Sequence, residues 1–111
     1  MDLYLEIQEK TKLLEASLKE LRKSGTAYAQ AEKDYKILLR QECLKLKEEG
    51  VAIGMIDKTC YGIPIVAEAR FKRDIALTIY QANQEAINTL KLEIRILDNQ
   101  IQREWGINMP N

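Results

Sequence analysis

The apolar residues of this chain recur at alternating spacings of four and three residues over two long segments. In the first segment, residues 3–49, Asp2 is the predicted N-cap, and the row begins at Leu3 and becomes less regular beyond Leu21. In the second segment, residues 64–105, a row from Ala76 to Ile101 has the same spacing. This heptad spacing places the apolar residues on one face of a helix that packs against another helix. The pattern predicts an all-α protein whose two long helices form an antiparallel, coiled-coil-like hairpin.

The segment between the two rows, residues 50–63, contains the signals for a turn. Gly50 follows a charged helical stretch and is a typical helix stop, and Pro64 suits the first turn of the returning helix because it lacks an N–H. Between them, residues 55–61 are predicted to form a short helix, with Val51 and Ile53 extended and turned inward. The second helix is predicted to end at Trp105 and Gly106, and residues 106–111 form a tail. The whole chain is predicted to be one domain.

Gly25 interrupts the first helical segment, and two interpretations are open. Ser24, Gly25 and Thr26 could end one helix and begin another, since glycine costs about 1 kcal/mol relative to alanine inside a helix. Because the apolar row runs through Gly25 in phase, we favour a continuous helix in which glycine lets another backbone approach closely.

A second apolar row lies beside the first in the later segment and makes its apolar face wide. A two-helix hairpin needs one narrow stripe per helix, so a wide face predicts a further contact surface. With residue 50 opposite residue 65, Tyr35 would lie near Tyr80, and the charge-free segment 24–31 would face residues 84–91, which overlap the charge-poor segment 75–90. We therefore predict a homo-oligomer, a dimer or larger helical bundle. Its interface is expected to include Tyr28, Ile79, Ala82, Asn83 and Ala86.

The polar residue Asn83 within the apolar row has three interpretations. A single buried asparagine can set the register and the oligomeric state of packed helices. Alternatively, Asn83 is partly exposed, or its side chain binds the backbone. Tyr28, Tyr35 and Tyr80 occur at heptad spacing, which favours core packing over a platform for stacking bases.

The turn segment itself has two interpretations. It is either a purely structural tip or a surface that binds a partner through exposed apolar side chains. A phosphate-binding loop is excluded because no GxxxxGK[ST] motif is present. The residues of the partner-binding hypothesis are Val51, Ile53, Met55, Ile56 and Tyr61.

The charge of the chain argues against general binding of nucleic acids. Among the 111 residues, 17 are basic and 17 acidic, and the two signs are balanced in every part of the chain. Binding to a phosphate backbone depends on clustered lysines and arginines. The densest cluster, Arg70, Lys72 and Arg73, is either a solvated face beside Glu68 and Asp74 or a phosphate contact. Nucleic-acid binding therefore remains an alternative that we do not favour.

The chain lacks the residues that several kinds of catalytic and metal-binding site require. The chain has no histidine, which excludes Ser-His-Asp and Cys-His catalysis and the Glu-x-x-His pairs of di-iron bundles. Cys43 and Cys60 are too few for a structural zinc site and are predicted to be free thiols. Glu6 and Glu9 have ExxE spacing, but no ExxD partner exists for a magnesium site. We expect no enzymatic activity, no metal and no cofactor.

The segments "LRKSGTAYAQAEKDYKILLRQE", "LKLKEEGVAIGMIDKTCYG" and "EARFKRDIALTIYQANQEAINTLKLEIRIL" resemble a family of small helical proteins from phages and prophages of low-GC Gram-positive bacteria. The resemblance spans nearly the whole chain and implies no catalytic or binding residues. It implies a protein made in a bacterial host cytoplasm, from the replication-and-recombination part of a phage genome. The secreted WxG-type helical hairpins are less similar, because no W-x-G lies at the turn.

No apolar run is long enough to cross a bilayer, and the N-terminal residues do not resemble a signal peptide, so a cytoplasmic location is expected. These observations favour a non-enzymatic interaction or scaffold protein. Its partner would be a phage replication or recombination factor or a host protein. Two alternatives remain: a nucleic-acid-binding accessory protein and an oligomer that sequesters a small ligand.

Overall fold

The computed structural model describes the backbone of residues 2–108 and the side chains of residues 2–106. It is an all-α helical hairpin with the element order α1 (Leu3–Glu48), α2 (Ile53–Tyr61) and α3 (Pro64–Asn108). This confirms the predicted fold class. The chain divides into two compact units, which are described separately below: a tip unit, Lys23–Tyr80, and a terminal unit, Met1–Arg22 with Gln81–Asn111.

The two ends of α1 are capped by the residues that the sequence indicated. Asp2 is the N-cap, and its carboxylate accepts hydrogen bonds from the backbone N–H groups of Tyr4 and Leu5 at 3.0 and 3.4 Å. At the other end Gly50 has a φ of +87°, a left-handed conformation that glycine adopts at little cost. The N–H of Val51 then donates to the carbonyl of Leu46 at 3.1 Å, as in a Schellman motif.

The helix α1 continues through Gly25 without a break, as favoured above. The reason for the glycine differs from the expectation, however. A Cβ built at Gly25 would lie 3.5 Å from the ring of Tyr80, so the neighbour is an aromatic side chain rather than a backbone. Because Gly25 has no side chain, the Tyr80 ring has room to pack close to the backbone of α1 at this position.

The start of the short helix and the end of α3 differ from the predicted boundaries. The short helix begins at Ile53, two residues before the predicted start, and Ile53 is 83% exposed instead of turned inward. The helix α3 continues past Trp105 and Gly106 to Asn108, because a single glycine does not stop a helix whose neighbours keep helical hydrogen bonding. Of the predicted tail, residues 109–111 lie outside the described residues.

The core of the tip unit lies where α2 meets the two long helices. Tyr35, Leu46, Cys60 and Val66 are buried there, and Cys60 and Val66 have no exposed surface. The Sγ of Cys60 donates a weak hydrogen bond to the Leu39 carbonyl at 3.5 Å, which ties α2 to α1. A nine-residue helix is too short to be stable alone, so this burial is what holds α2 in place.

In the tip unit, the residues of α1 that lie opposite α3 are shifted by seven positions along α1 from the predicted pairing. Tyr80 stacks on Tyr28, with ring centroids 6.2 Å apart, and not on Tyr35. The last turns of α1 pack against α2, so α3 begins opposite an earlier part of α1 than a simple turn would allow. Within the tip unit, Gly25 and Tyr28 therefore lie against Tyr80.

The terminal unit is held by a narrow seam between α1 and α3. Ile87 is 4% exposed, and the other apolar positions of the predicted row are only partly buried. Lys10 and Glu93 form an ion pair across the two helices. The amide of Asn83 donates to the backbone carbonyl of Glu20 at 3.4 Å. Asn83 is therefore half-buried and bonded to the backbone, so both alternatives to full burial describe it.

Candidate interaction surfaces

The tip residues of the partner-binding hypothesis divide into two groups. Val51 and Ile56 pack against the buried core of the tip unit, and their role is structural. Ile53, Met55 and Tyr61 are 83%, 53% and 46% exposed. These three residues form what we call the tip patch. Within α2, Cys60 is buried and Ile56 packs against the core, whereas these three side chains are left exposed.

The second apolar row of α3 is exposed along its length. Within the tip unit Ile75 and Ile79 are 44% and 52% exposed, and within the terminal unit Ala82, Ala86 and Ile96 are exposed. The first row faces α1, whereas the second row is left exposed by the described residues. The oligomer interface stays a prediction, because exposure in a single chain does not show what covers these residues.

The two remaining residues of the predicted interface make contacts inside the chain. Tyr28 stacks on Tyr80, and its hydroxyl donates to Glu32 at 3.1 Å. The hydrogen bond to Glu32, with burial and the charge of that carboxylate, raises the pKa of Tyr28. Asn83 faces α1 as described above. We therefore leave both residues out of the surfaces proposed below.

A shallow apolar groove lies on the outer side of the tip unit. It has a volume of about 200 Å³ and its lining is almost entirely apolar. Ser24 and Ala27 of α1 form one wall, and the other wall belongs to α3. The α3 residues of the groove are Lys72, Ile75, Ala76 and Ile79.

The sequence analysis missed two exposed apolar residues near this groove. Ile65 and Phe71 of α3 are 51% and 58% exposed. Continuing the second row by heptad steps from Ile79 toward the start of the helix leads to Lys72 and then to Ile65. The heptad pattern therefore extends to Ile65. It was missed because Glu68 and Lys72, which lie between Ile65 and Ile75 in the row, are charged, so the apolar row seemed to begin at Ile75.

The basic cluster is divided by the structure. Arg73 faces α1, where its guanidinium lies 4.6 Å from the centroid of the Tyr35 ring and 3.7 Å from a carboxylate oxygen of Glu32. Partial burial lowers the pKa of Arg73, but the hydrogen bond and charge of Asp74 outweigh it, so the pKa is raised. Arg70 lies 5.7 Å from the Tyr61 ring centroid. Arg70 and Lys72 are exposed, so they are the two residues of the cluster that solvent can reach freely.

The two thiols are free and differ in environment. Cys43 is half-buried and Cys60 is buried. Burial, followed by the hydrogen bond to Cys43, raises the pKa of the Cys60 thiol to about 11. A buried thiol that holds its proton at neutral pH is a poor nucleophile, so Cys60 functions as a core residue.

Two further observations concern residues 2–108. No group of three or more cysteine, aspartate or glutamate side chains is arranged to hold a metal ion within that range. In the same part of the chain, none of the helices combines the length and the apolar character that crossing a membrane requires.

Comparison with protein-family models, with curated proteins and with solved structures found no match to this chain.

Proposed function

We propose that this chain is a non-enzymatic docking protein that self-associates through the outer face of α3 and presents its tip to a different protein. The observation that carries the proposal is the exposure of large apolar side chains on the tip patch, where Ile53 is 83% exposed. Clustered apolar side chains on a surface are typical of protein-binding sites. Following the resemblance stated above, the partner class is a phage replication or recombination factor or a protein of the bacterial host.

The position of the tip patch supports a docking role. Ile53 and Met55 lie in the first turn of α2, and the same helix is fixed to the core by Cys60 at its other end. A partner that covers the patch therefore meets a helix that is already ordered. Binding to such a preorganised surface loses less conformational entropy than binding to a disordered segment.

Self-association is supported separately by the outer face of α3. Within the tip unit Ile75 and Ile79 line an apolar groove, and within the terminal unit Ala82 and Ala86 are exposed. Small and apolar residues in heptad positions are typical of helix–helix contacts. The self-association and the docking of a partner use different surfaces, so each can be tested while the other is preserved.

The docking role is tested with a double substitution, Ile53→Ser with Met55→Ser. We expect a partner protein to co-purify with the native chain from infected cells and to be lost with this variant. Ile37→Ser is the matched control, because Ile37 is a 48% exposed residue of α1 in the same unit. Equal recovery of the partner with the tip variant and with the native chain would contradict the proposal.

Self-association is tested by light scattering. The native chain is expected to have at least twice its chain mass of 12.8 kDa, and Ile75→Glu or Ile79→Glu is expected to lower that mass. The two variants place a charge on the exposed side of α3, where it leaves the fold intact. A native chain that is monomeric at about 50 μM would refute the self-association.

The nucleic-acid alternative is tested by mobility shift with single- and double-stranded DNA at low salt. Because Arg73 is engaged by Glu32, Asp74 and Tyr35, we expect no shift. A shift that disappears with Arg70→Ala and Lys72→Ala would favour the alternative instead.

A further inference from the structure

An exposed row of residues follows heptad spacing along the first four turns of α3. The row, which we call the α3 stripe, starts with an isoleucine, passes through two charged residues and ends with two more isoleucines. All five side chains are exposed, and all lie within the tip unit. The residues of the α3 stripe are Ile65, Glu68, Lys72, Ile75 and Ile79.

The groove on the tip unit has the geometry of a coiled-coil hole. In a coiled coil, a side chain of one helix inserts between four residues of the facing helix, spaced at i, i+3, i+4 and i+7. The residues that α3 contributes to the groove have this spacing and comprise Lys72, Ile75, Ala76 and Ile79. The groove is therefore shaped to receive one apolar side chain from a second helix.

We propose that a second copy of this chain packs antiparallel against the α3 stripe, with Ile65 of each copy inserted into the groove of the other. Antiparallel helices place an a position of one helix in the same layer as a d position of the other. In the register proposed here, Ile65 of one copy shares a layer with Ile75 of its partner. This inference rests on the self-association proposed above and specifies its orientation and its register.

The charged residues of the α3 stripe select this register. When Ile65 lies opposite the partner's Ile75, Glu68 lies opposite the partner's Lys72, and the reciprocal pair forms on the other side of the two-fold axis. A shift by one heptad places Glu68 against Ile79 and Lys72 against Ile75, which leaves both charges in apolar surroundings. Desolvation of an unpaired charge is costly, so the shifted register is disfavoured.

The same charges disfavour a parallel pair. Parallel helices in register place each residue beside its own copy, so that Glu68 would meet Glu68 and Lys72 would meet Lys72. Like charges at an interface are destabilising. No ion pair between Glu68 or Lys72 and another residue is present within residues 2–106, so both side chains are available to a partner.

The two-fold axis of this arrangement passes near Arg70, and it brings Phe71 of one copy beside Phe71 of the other. Phe71 is 58% exposed in the single chain. A symmetric dimer uses the same surface patch on both copies, so the patch must be complementary to itself. The proposed surface is complementary to itself in three ways. Glu68 and Lys72 pair with the opposite charges of the second copy, Ile65 fits the groove of the second copy, and Phe71 lies close to the two-fold axis.

The test uses two charge reversals, Glu68→Lys and Lys72→Glu, made singly and together. Each single variant places like charges in both reciprocal pairs, so its dimer is expected to weaken at least about tenfold. The double variant exchanges the two signs and is expected to dimerise like the native chain. Glu15→Lys is the matched control, because Glu15 and Lys19 have the same spacing on an exposed part of α1.

Mixing the two single variants is the decisive measurement. A chain with two lysines in the α3 stripe and a chain with two glutamates are complementary, so the equimolar mixture is expected to form a heterodimer of about native affinity. Two variants that had each failed to fold would not form a dimer of native affinity when mixed. Recovery would therefore show that the single variants are folded and that their charges alone weaken dimerisation. Failure of the mixture to recover would overturn the proposed charge pairing.

Orientation is tested by cross-linking. In a mixture of Ile65→Cys and Ile75→Cys chains treated with oxidised glutathione, the antiparallel register is expected to give mainly the mixed disulfide dimer. Predominance of 65–65 and 75–75 dimers would overturn it. If the native chain self-associates but none of the charge variants changes its mass, this register is refuted and the proposed function stands. If the native chain is monomeric, both the register and the proposed self-association are refuted.

Discussion

The tip unit and the terminal unit are built from the same two long helices, yet they bury their side chains to very different extents. In the tip unit Tyr35, Leu46, Cys60 and Val66 are buried, whereas Ile87 is the buried apolar residue among the described side chains of the terminal unit. The difference is the short helix α2, which supplies a third wall. Two helices in contact leave part of every seam residue exposed, and a third element is needed to enclose a side chain.

This comparison also explains how the two units are stabilised. The tip unit relies on apolar burial, which stabilises by about 25 cal/mol per Å² of apolar surface removed from water. The terminal unit relies more on contacts between partly exposed residues, such as the Lys10–Glu93 ion pair. Such contacts stabilise less, so the tip unit is expected to be the more stable of the two.

The largest expected effect comes from the same substitution made in both units. Leu46→Ala in the tip unit removes a buried side chain and should lower the free energy of unfolding by about 2–5 kcal/mol. Leu90→Ala in the terminal unit removes a half-buried one and should cost less, about 1–2 kcal/mol. Urea denaturation of both variants measures the difference. Equal costs would mean that the short helix does not make the tip unit better packed.

The buried thiol of the tip unit should produce a dependence of stability on pH. Burial raises the pKa of Cys60 from 9.0 to about 11, so the folded state holds the proton more strongly than the unfolded state. The resulting stabilisation is complete below pH 9 and is lost as the pH rises through about 11. Tyr28 and Lys10, whose pKa values are also raised, act in the same direction.

The measurement compares the native chain with Cys60→Ala. We expect the variant to be less stable at pH 8 by about 1–2 kcal/mol, because a buried side chain is shortened. The difference from the native chain should narrow as the pH rises from 9 to 11. Ile87→Ala, which shortens a buried apolar side chain of the terminal unit, is the control and should retain the native pH profile. A constant difference across this range would show that Cys60 ionises as easily in the folded chain as in the unfolded one.

A smaller effect is expected at Gly25 in the tip unit. A Cβ at this position would lie 3.5 Å from the Tyr80 ring, which is an ordinary contact distance. Gly25→Ala should therefore stabilise the chain by about 0.5–1 kcal/mol through higher helix propensity. Gly25→Leu should destabilise it, because the larger side chain displaces the Tyr80 ring. Thermal unfolding of both variants measures these changes in stability. A loss of stability with Gly25→Ala would mean that the Tyr80 ring lies closer to α1 than the structure shows.

The smallest effect is expected at the ion pair of the terminal unit. Lys10 and Glu93 are both partly exposed, and exposed ion pairs contribute little to stability because water and salt screen them. Lys10→Met keeps the aliphatic stem and should lower the free energy of unfolding less than any destabilising substitution above, with a loss that diminishes at high salt. A double-mutant cycle with Glu93→Gln isolates the pair. A coupling energy as large as the cost of Leu90→Ala would mean that the terminal unit is held mainly by charge.

Sequence reasoning was most successful where local rules decide the structure. Asp2 caps α1, Gly50 ends it and Pro64 begins α3, because each role depends on the residue and its immediate neighbours. It was less successful for the candidate surfaces. Val51 and Ile56 share the apolar character of Ile53 and Met55, and composition alone could not separate the two that pack into the core from the two that are exposed.

The sequence by itself determined the all-α hairpin, the ends of α1 and the start of α3, and the existence of two apolar rows on α3. These follow from the period of the pattern and from capping residues, which act over a few residues. Only the tertiary structure decided that Tyr80 meets Tyr28, that Arg73 turns toward Tyr35 and that the groove opens at Ile75 and Ile79. The physical reason is that the packing of α2 against α1 sets the offset between the long helices, and no pattern within one helix records that offset.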